Sequence, residues 1–532
     1  MNHHPFRSWL LATFLLAAGS VRGQETSALG ELTFDVSASE EAKPAFLKGL
    51  LLLHSFEFAD AADAFREAQE IDPACAMAYW GEAMTYNHAI WHEQDFERGR
   101  AVLQKLGDTA SERAAKGETD LEKDFIKAAG ILYGEGIKFD RDKAYAEHMG
   151  VLHEKYPESH EIAALYALSL LGSVPVGRDV SVYQRSAWIS EGILRENPRH
   201  PGALHYLIHA NDDPSHAKST LFTANAYSVI APDAAHALHM PTHIYVALGM
   251  WDEVIRLNVE SWQASVRRKE EKNLSNDALG YHSFHWLEYG YLQKGRVEDA
   301  RQMLSDMIRY CAELPSPRAR THEIYLKATF LVETNEWNST YASQQTDASG
   351  LNVSTRGIEK FVRGMKLYHE GDIAGLKKHI AGMDDERLFE SARITRDGTT
   401  FCSSGGASRE NATRLDVDQL YVMEMQLEGL SSWRQNELAA ADKWLREASE
   451  LEARISYSYG PPAIPKPAHE LYGEFLLTMK RPENAMKAFD IALQRAPRRV
   501  LALKGKTQAA RMMKRPDSVR EIEEELKEIA AL

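Results

Sequence analysis

The chain has 532 residues, 44% hydrophobic and 26% charged, with 62 lysines and arginines against 77 aspartates and glutamates, a formal charge of −15. That balance, without a long basic block, weighs against recognition of a phosphate backbone, and nucleic acid is not an expected partner. Three cysteines far apart in sequence, Cys75, Cys311 and Cys402, make no disulfide framework.

At the N-terminus Arg7 precedes a mostly apolar run from Trp9 to Ala18, then small residues and a "VRG" cleavage site before Gln24. Residues 1–23 read as a removable signal peptide, which makes the mature protein exported, periplasmic or secreted. No later stretch approaches ~20 consecutive apolar residues, so no membrane span is expected in the mature chain. A short segment, 24–44, leads into the periodic part.

From about residue 45 the sequence repeats. "FADAADAFREAQEIDP" sets Ala61 and Ala68 around Phe65 and ends at Pro73, and "RPENAMKAFDIALQRAP" repeats the pattern with Ala485, Phe489, Leu493 and Pro497. Small residues let paired helices approach, and proline stops the second helix of each pair. Pro198 and Pro232 lie 34 residues apart, while "GMWDEV" and "GRVEDA" read as turns between paired helices.

These features resemble the tetratricopeptide repeat superfamily, with units over about 45–110, 125–312 and 467–510. "CAMAYWGEAM", "HPGALHYLIH", "HMPTHIYVALG" and "YGPPAIPKPAHELYGEFLL" resemble more narrowly a group of exported bacterial tetratricopeptide proteins. The resemblance implies an all-α chain, an α-solenoid of tetratricopeptide-like helix hairpins, and no particular reaction. Residues 45–334 are expected to form a solenoid with a histidine-rich groove. Residues 335–454 read as an irregular helical section with polar loops, and 455–532 as a C-terminal repeat with terminal helices.

The histidines obey the repeat. His205 and His239 are 34 residues apart, as are His209 and His243, and the 46-residue offset from Gly249 to Gly295 maps His236 onto His282 and His239 onto His285. Spacings of three and four bring side chains to one helix face, with Pro241 as a break within the middle helix. In the resembled superfamily that stripe lines the concave groove. His205, His209, His236, His239, His243, His282 and His285 are therefore read as metal ligands. Imidazole suits zinc, copper and iron, and seven histidines exceed the four ligands of a closed zinc site, so one or two transition-metal ions with an open position are expected.

His54 and His88, again 34 apart, with Asp212, Asp213 and Glu288, are additional candidate ligands. Asp213 has capping the following turn as its more ordinary role. Tyr206, Tyr245, Trp286 and Tyr289 are read as groove aromatics, with core packing as their alternative. Glu470 and Glu474 take the places of His205 and His209 in the last repeat, which predicts an acidic C-terminal groove. Two function classes follow. One is a metal-dependent hydrolase or oxidase acting on a small molecule. The other is a non-catalytic scaffold holding a peptide or protein in the groove. Neither HExxH nor GxSxG occurs to fix a reaction.

Overall fold

The computed structural model describes residues 28–396, 398, 399 and 411–531. The leader 1–23 and Cys402 lie outside the described residues. Within them, helices follow one another in packed pairs from Lys43–His54 to Pro516–Ala530. The described strands are Asn87–His88 and Glu93–Gln94, an antiparallel pair with Asn87 opposite Gln94 and His88 opposite Glu93.

A glycine–phenylalanine lock shows why these helices pair. Phe65, on the helix Phe58–Ile71, presses on Gly49 of the preceding helix and Gly81 of the following one; a Cβ at Gly49 would sit 2.8 Å from its ring. Phe489 does the same between Gly473 and Gly505, with a Cβ at Gly473 placed 2.7 Å from its ring. In both repeats the phenylalanine stands 16 residues from each glycine. Burying such a ring contributes roughly 2–3 kcal/mol, and the missing Cβ atoms admit it.

The section 335–454 is more regular than its polar composition predicts. It holds the long helices Val353–Glu370, Ile373–Ser391, Arg414–Arg434 and Leu438–Arg454, built on buried residues such as Phe361, Val362, Leu420, Met423 and Leu427. Of these, Val353–Glu370 and Leu438–Arg454 are amphipathic, while Arg414–Arg434 is buried on most sides.

Three distant segments converge on the central repeats. In the first hairpin, Asp60 takes Arg268 Nε at 2.8 Å and Nη2 at 2.7 Å. From the C-terminal side, Ser456 Oγ accepts Arg178 N at 2.9 Å, and Gln293 Oε1 accepts Val500 N at 2.9 Å. The extended N-terminal segment joins them, with Glu31 N donating to Arg199 O at 3.0 Å. Segments from both ends of the chain thus lie against the central, histidine-bearing repeats. Cys75 and Cys311 are buried free thiols.

Candidate metal centre

Three helices carry the histidines. Pro201–Asn211 holds His205 and His209. The middle helix is divided into Ala235–His239 and Pro241–Leu248, with Met240 still helical between them, so the break falls at Pro241 as its missing N–H requires. Tyr281–Gln293 holds His282 and His285.

These helices bring six imidazoles into two triads. In each of the sets His205–His209–His236 and His239–His243–His282, one ligand-type atom per residue lies within 4.8 Å of the others. The triads abut: the rings of His209 and His243 are 5.3 Å apart, and those of His236 and His239 are 6.0 Å apart. His205, His209, His239 and His243 are between 0% and 4% exposed, and His236 and His282 are half-buried.

Hydrogen bonds at the outer ring nitrogens set the tautomers. His205 Nδ1 donates to the His54 carbonyl at 2.7 Å, His239 Nδ1 to Asn258 Oδ1 at 2.7 Å, and His243 Nδ1 to Asp212 Oδ2 at 2.9 Å. The Asn258 amide cannot turn freely, because its Nδ2 donates to Val254 O at 2.9 Å. A neutral imidazole protonated at Nδ1 presents a lone pair at Nε2. Among the described residues, the buried Nε2 atoms of His205, His209, His236, His239 and His243 have no hydrogen-bond partner. Burying so many polar atoms without partners is costly, and lone pairs of this kind are those a metal ion could take.

Burial favours the neutral form of four of the rings. Burial pushes His205, His236 and His239 well below the ordinary imidazole value, and neighbouring histidines add to the effect. His243 is lowered to about 4 by burial, opposed by Asp212. Burial alone would raise the Asp212 carboxyl, but Arg178, His209 and His243 together hold it well below the carboxylate range.

Asp212 serves as the anchor behind the ligands. It is fully buried, pairs with Arg178, and stands 3.6 Å from His209 Nδ1. It also forms a group of metal-ligating type with His209 and His243, so both triads share it. Asp213 instead accepts His216 Nδ1 at 2.7 Å and the backbone N of Ser215 at 2.9 Å, the turn-capping role.

Other sequence candidates fall elsewhere. His285 joins neither triad; its Nε2 meets Thr329 Oγ1 at 2.9 Å. His54 sits behind the centre, with Nδ1 2.8 Å from Tyr206 OH and Nε2 2.7 Å from Glu161 Oε2, while His200 Nε2 lies 3.1 Å from Glu161 Oε1. With Ala203 N donating to His200 Nδ1 at 3.2 Å, both rings of that buried group are fully hydrogen-bonded. His88 belongs to the short strand pair, is held by Glu93 Oε2 at 3.3 Å and Thr85 O at 3.2 Å, and stacks on Phe58. Glu288 is fully buried, burial with Glu333 nearby raises its pKa, and neither of its carboxyl oxygens has a hydrogen-bond partner among the described residues.

Of the aromatics, Trp286 lies against the second triad, 4.5 Å from His243, 4.9 Å from His239 and 5.4 Å from His282. Tyr206 is an outer partner through His54. Tyr245 donates to Asn225 Oδ1 at 2.6 Å, and Tyr289 accepts Arg499 Nη1 at 3.2 Å, so both serve the packing between helices. Glu470 and Glu474 both pair with Lys466, at 2.8 Å and 2.5 Å, and Glu470 also takes Arg499 at 2.7 Å, so the acidic pair read from sequence is engaged with the chain's own cations.

Four further residues shape the centre. Phe56, held at the left-handed φ of 56°, lies 4.2 Å from His205 and 5.6 Å from His236. Glu57 accepts the backbone N of His236 at 2.9 Å. Arg178 ties Asp212 to Ser456. Tyr459 lies 4.8 Å from His243 and 6.1 Å from His209. Phe56 and Glu57 follow His54 directly and were findable by proximity. Tyr459 lies outside any repeat register.

No protein-family model and no curated protein sequence matches the chain. Among solved structures, the chain is similar to one titled as the APC/C hetero-tetramer Cut9–Hcn1, at 13% identity and a TM-score of 0.36, over 91% of this chain and 79% of that one. It is also similar to yeast Tom70, at 12% identity and a TM-score of 0.34, over 91% and 99%. The chain's own paired helices and repeated glycine–phenylalanine locks define the class, a tetratricopeptide-like α-solenoid.

Proposed function

We propose that this solenoid houses a copper centre and acts as an oxidoreductase on a small molecule. The observation that carries the reading is the convergence of unpartnered Nε2 atoms in two abutting triads. Neither triad contains a carboxylate, and divalent copper heads the affinity order for nitrogen donors. Copper bound at both triads would supply one-electron chemistry at two adjacent points.

The protein's own groups prepare that chemistry. His54 O, Asn258 and Asp212 hold three lone pairs inward, which cuts the reorganisation needed on binding. Phe56 and Trp286 shield the rings from water, and half-buried His236 and His282 mark the approach. A hydrolytic reading with zinc has less support. Asp212 and Asp213 are both engaged with Arg178, and burial favours the neutral form of Glu288, which weighs against each of them as the base. A scaffold that holds a peptide or protein is the second reading, supported by the array of paired helices, while Phe56 and Tyr459 packed on the histidines weigh against a peptide at that place. The apolar leader supports export. No helix among the described residues is long and apolar enough to cross a membrane.

Equilibrium competition on metal-depleted protein tests the reading, with Cu(I), Cu(II) and Zn(II) offered separately. Copper bound more tightly than zinc, and reversibly oxidised and reduced in place, is the expected result. Selective zinc uptake would return the protein to the hydrolase class, and weak uptake of every metal would leave the scaffold.

A further inference from the structure

The connection between the helices Leu438–Arg454 and Ala468–Thr478 borders a cavity of about 60 Å³. None of the triad histidines lines it. Its apolar wall is made of Ile455, Pro462, Ile464 and Ile491, and Ser456, Tyr457 and Arg495, themselves half-buried, form the side nearest solvent. A cavity takes about one water-sized group per ~10–15 Å³ of such space, so this one admits a molecule of roughly five heavy atoms.

Three polar groups line the cavity, and two of them have donors without a matching acceptor. Arg495, at the end of the helix Pro482–Arg495, uses only Nη1, on the Ile455 carbonyl at 3.3 Å; among the described residues no carboxylate pairs with its guanidinium. His469 is 9% exposed, and its ring has no hydrogen bond among the described residues. Glu452 is the third, and it is committed: Oε2 accepts Ala468 N at 2.6 Å, satisfying the first N–H of the helix that carries His469.

These groups act on one another across the cavity. Burial lowers His469 to about 4 and the Arg495 charge adds to that, which favours a neutral imidazole with one N–H to donate. Burial raises Glu452 to about 7, opposed by Ala468 N and by Arg495. A guanidinium beside an imidazole N–H, in a space walled by hydrocarbon, suits a planar carboxylate, which a guanidinium grips through two parallel N–H bonds.

We propose that this cavity binds a small carboxylate, its oxygens held by the remaining donors of Arg495 and by the His469 ring, its short alkyl part against Ile455, Ile464 and Ile491. The site is defined by protein atoms alone and does not depend on the copper reading.

The probe is propanoate, followed by ligand-observed NMR at fixed pH and chloride on the full chain as wild type, Arg495→Gln and Glu452→Gln, with propan-1-amine as a cationic counterpart of similar size. Wild type is expected to bind propanoate saturably and the amine not at all; saturable binding of the amine, or none of propanoate, would overturn the proposal whatever the variants do. Arg495→Gln should weaken propanoate binding at least about tenfold, the loss of a hydrogen bond to a charged group. A folded Arg495→Gln that binds like wild type would also overturn it. Glu452→Gln keeps an amide oxygen for Ala468 N while removing the charge, and it should bind propanoate at least as tightly as wild type. Weaker binding there would mean that the carboxyl attracts the occupant, which contradicts an anion.

Discussion

Behind the first triad stand a backbone carbonyl and a phenyl ring, with Asp212 no nearer than 3.6 Å at His209, and behind the second stand a directly bonded Asp212 and a carboxamide. His205 leans on the His54 carbonyl and the Phe56 ring, whereas His243 leans on Asp212 and His239 on Asn258. A carboxylate partner makes an imidazole a stronger donor than a carbonyl does. If copper binds as proposed, two triads of identical composition would be unequal sites, and the second should hold its metal more tightly.

The largest break in that comparison is His243→Ala. It removes a ligand from the tighter triad, and elemental analysis should show about one of two copper equivalents lost, with the first triad still filled. The helical array should survive, since the repeats are held by locks such as Gly49–Phe65–Gly81; loss of the helical circular-dichroism signal would instead make the metal structural.

Asp212→Asn comes next. Outer-partner changes cost on the order of 10–100-fold in metal affinity, and here the loss should fall on the second triad and erase its advantage. Equal losses at both triads, resolved by stepwise titration, would show that the 3.6 Å approach of Asp212 to His209 matters as much as its bond to His243.

Acid should separate the triads less sharply. In the metal-free chain the folded values of His205, His236 and His239 are well below the ordinary one, and that of His243 is about 4. An unfolded chain takes up these protons near its unperturbed value of ~6.5, so the unfolded state binds more protons below that pH. Their contribution to stability is therefore present above ~6.5 and is lost as pH falls toward about 4, which thermal melts of metal-free protein should record. A melting temperature that stays flat across this range would contradict the burial of neutral rings.

The smallest effect belongs to His285→Ala, which should leave copper content and affinity within about twofold, because its ring is committed to Thr329.

Repeat register made much of this legible. It placed His205, His209, His239 and His243 on matching helices, because identical hairpins repeat identical faces. It also brought in His282 but could not separate it from His285. Three residues along a straight helix turn a side chain by about 60°, enough to send one imidazole to the triad and the other to the helix Pro317–Thr334. The enclosure was legible only in part. Phe56 lies two residues after His54, whereas Tyr459 reaches the centre from a part of the chain far from it in sequence, and a period carries no information about such a contact. The same limit applies to Glu470 and Glu474, whose cations Lys466 and Arg499 sit outside the aligned positions.

Copper stoichiometry on the reconstituted full chain tests the central claim most directly. Two equivalents per chain, with the dicupric form giving a weaker electron paramagnetic resonance signal than two isolated ions and His243→Ala restoring the signal of a single ion, is the predicted result. A single equivalent in wild type, or none, would contradict two abutting histidine triads acting as one centre.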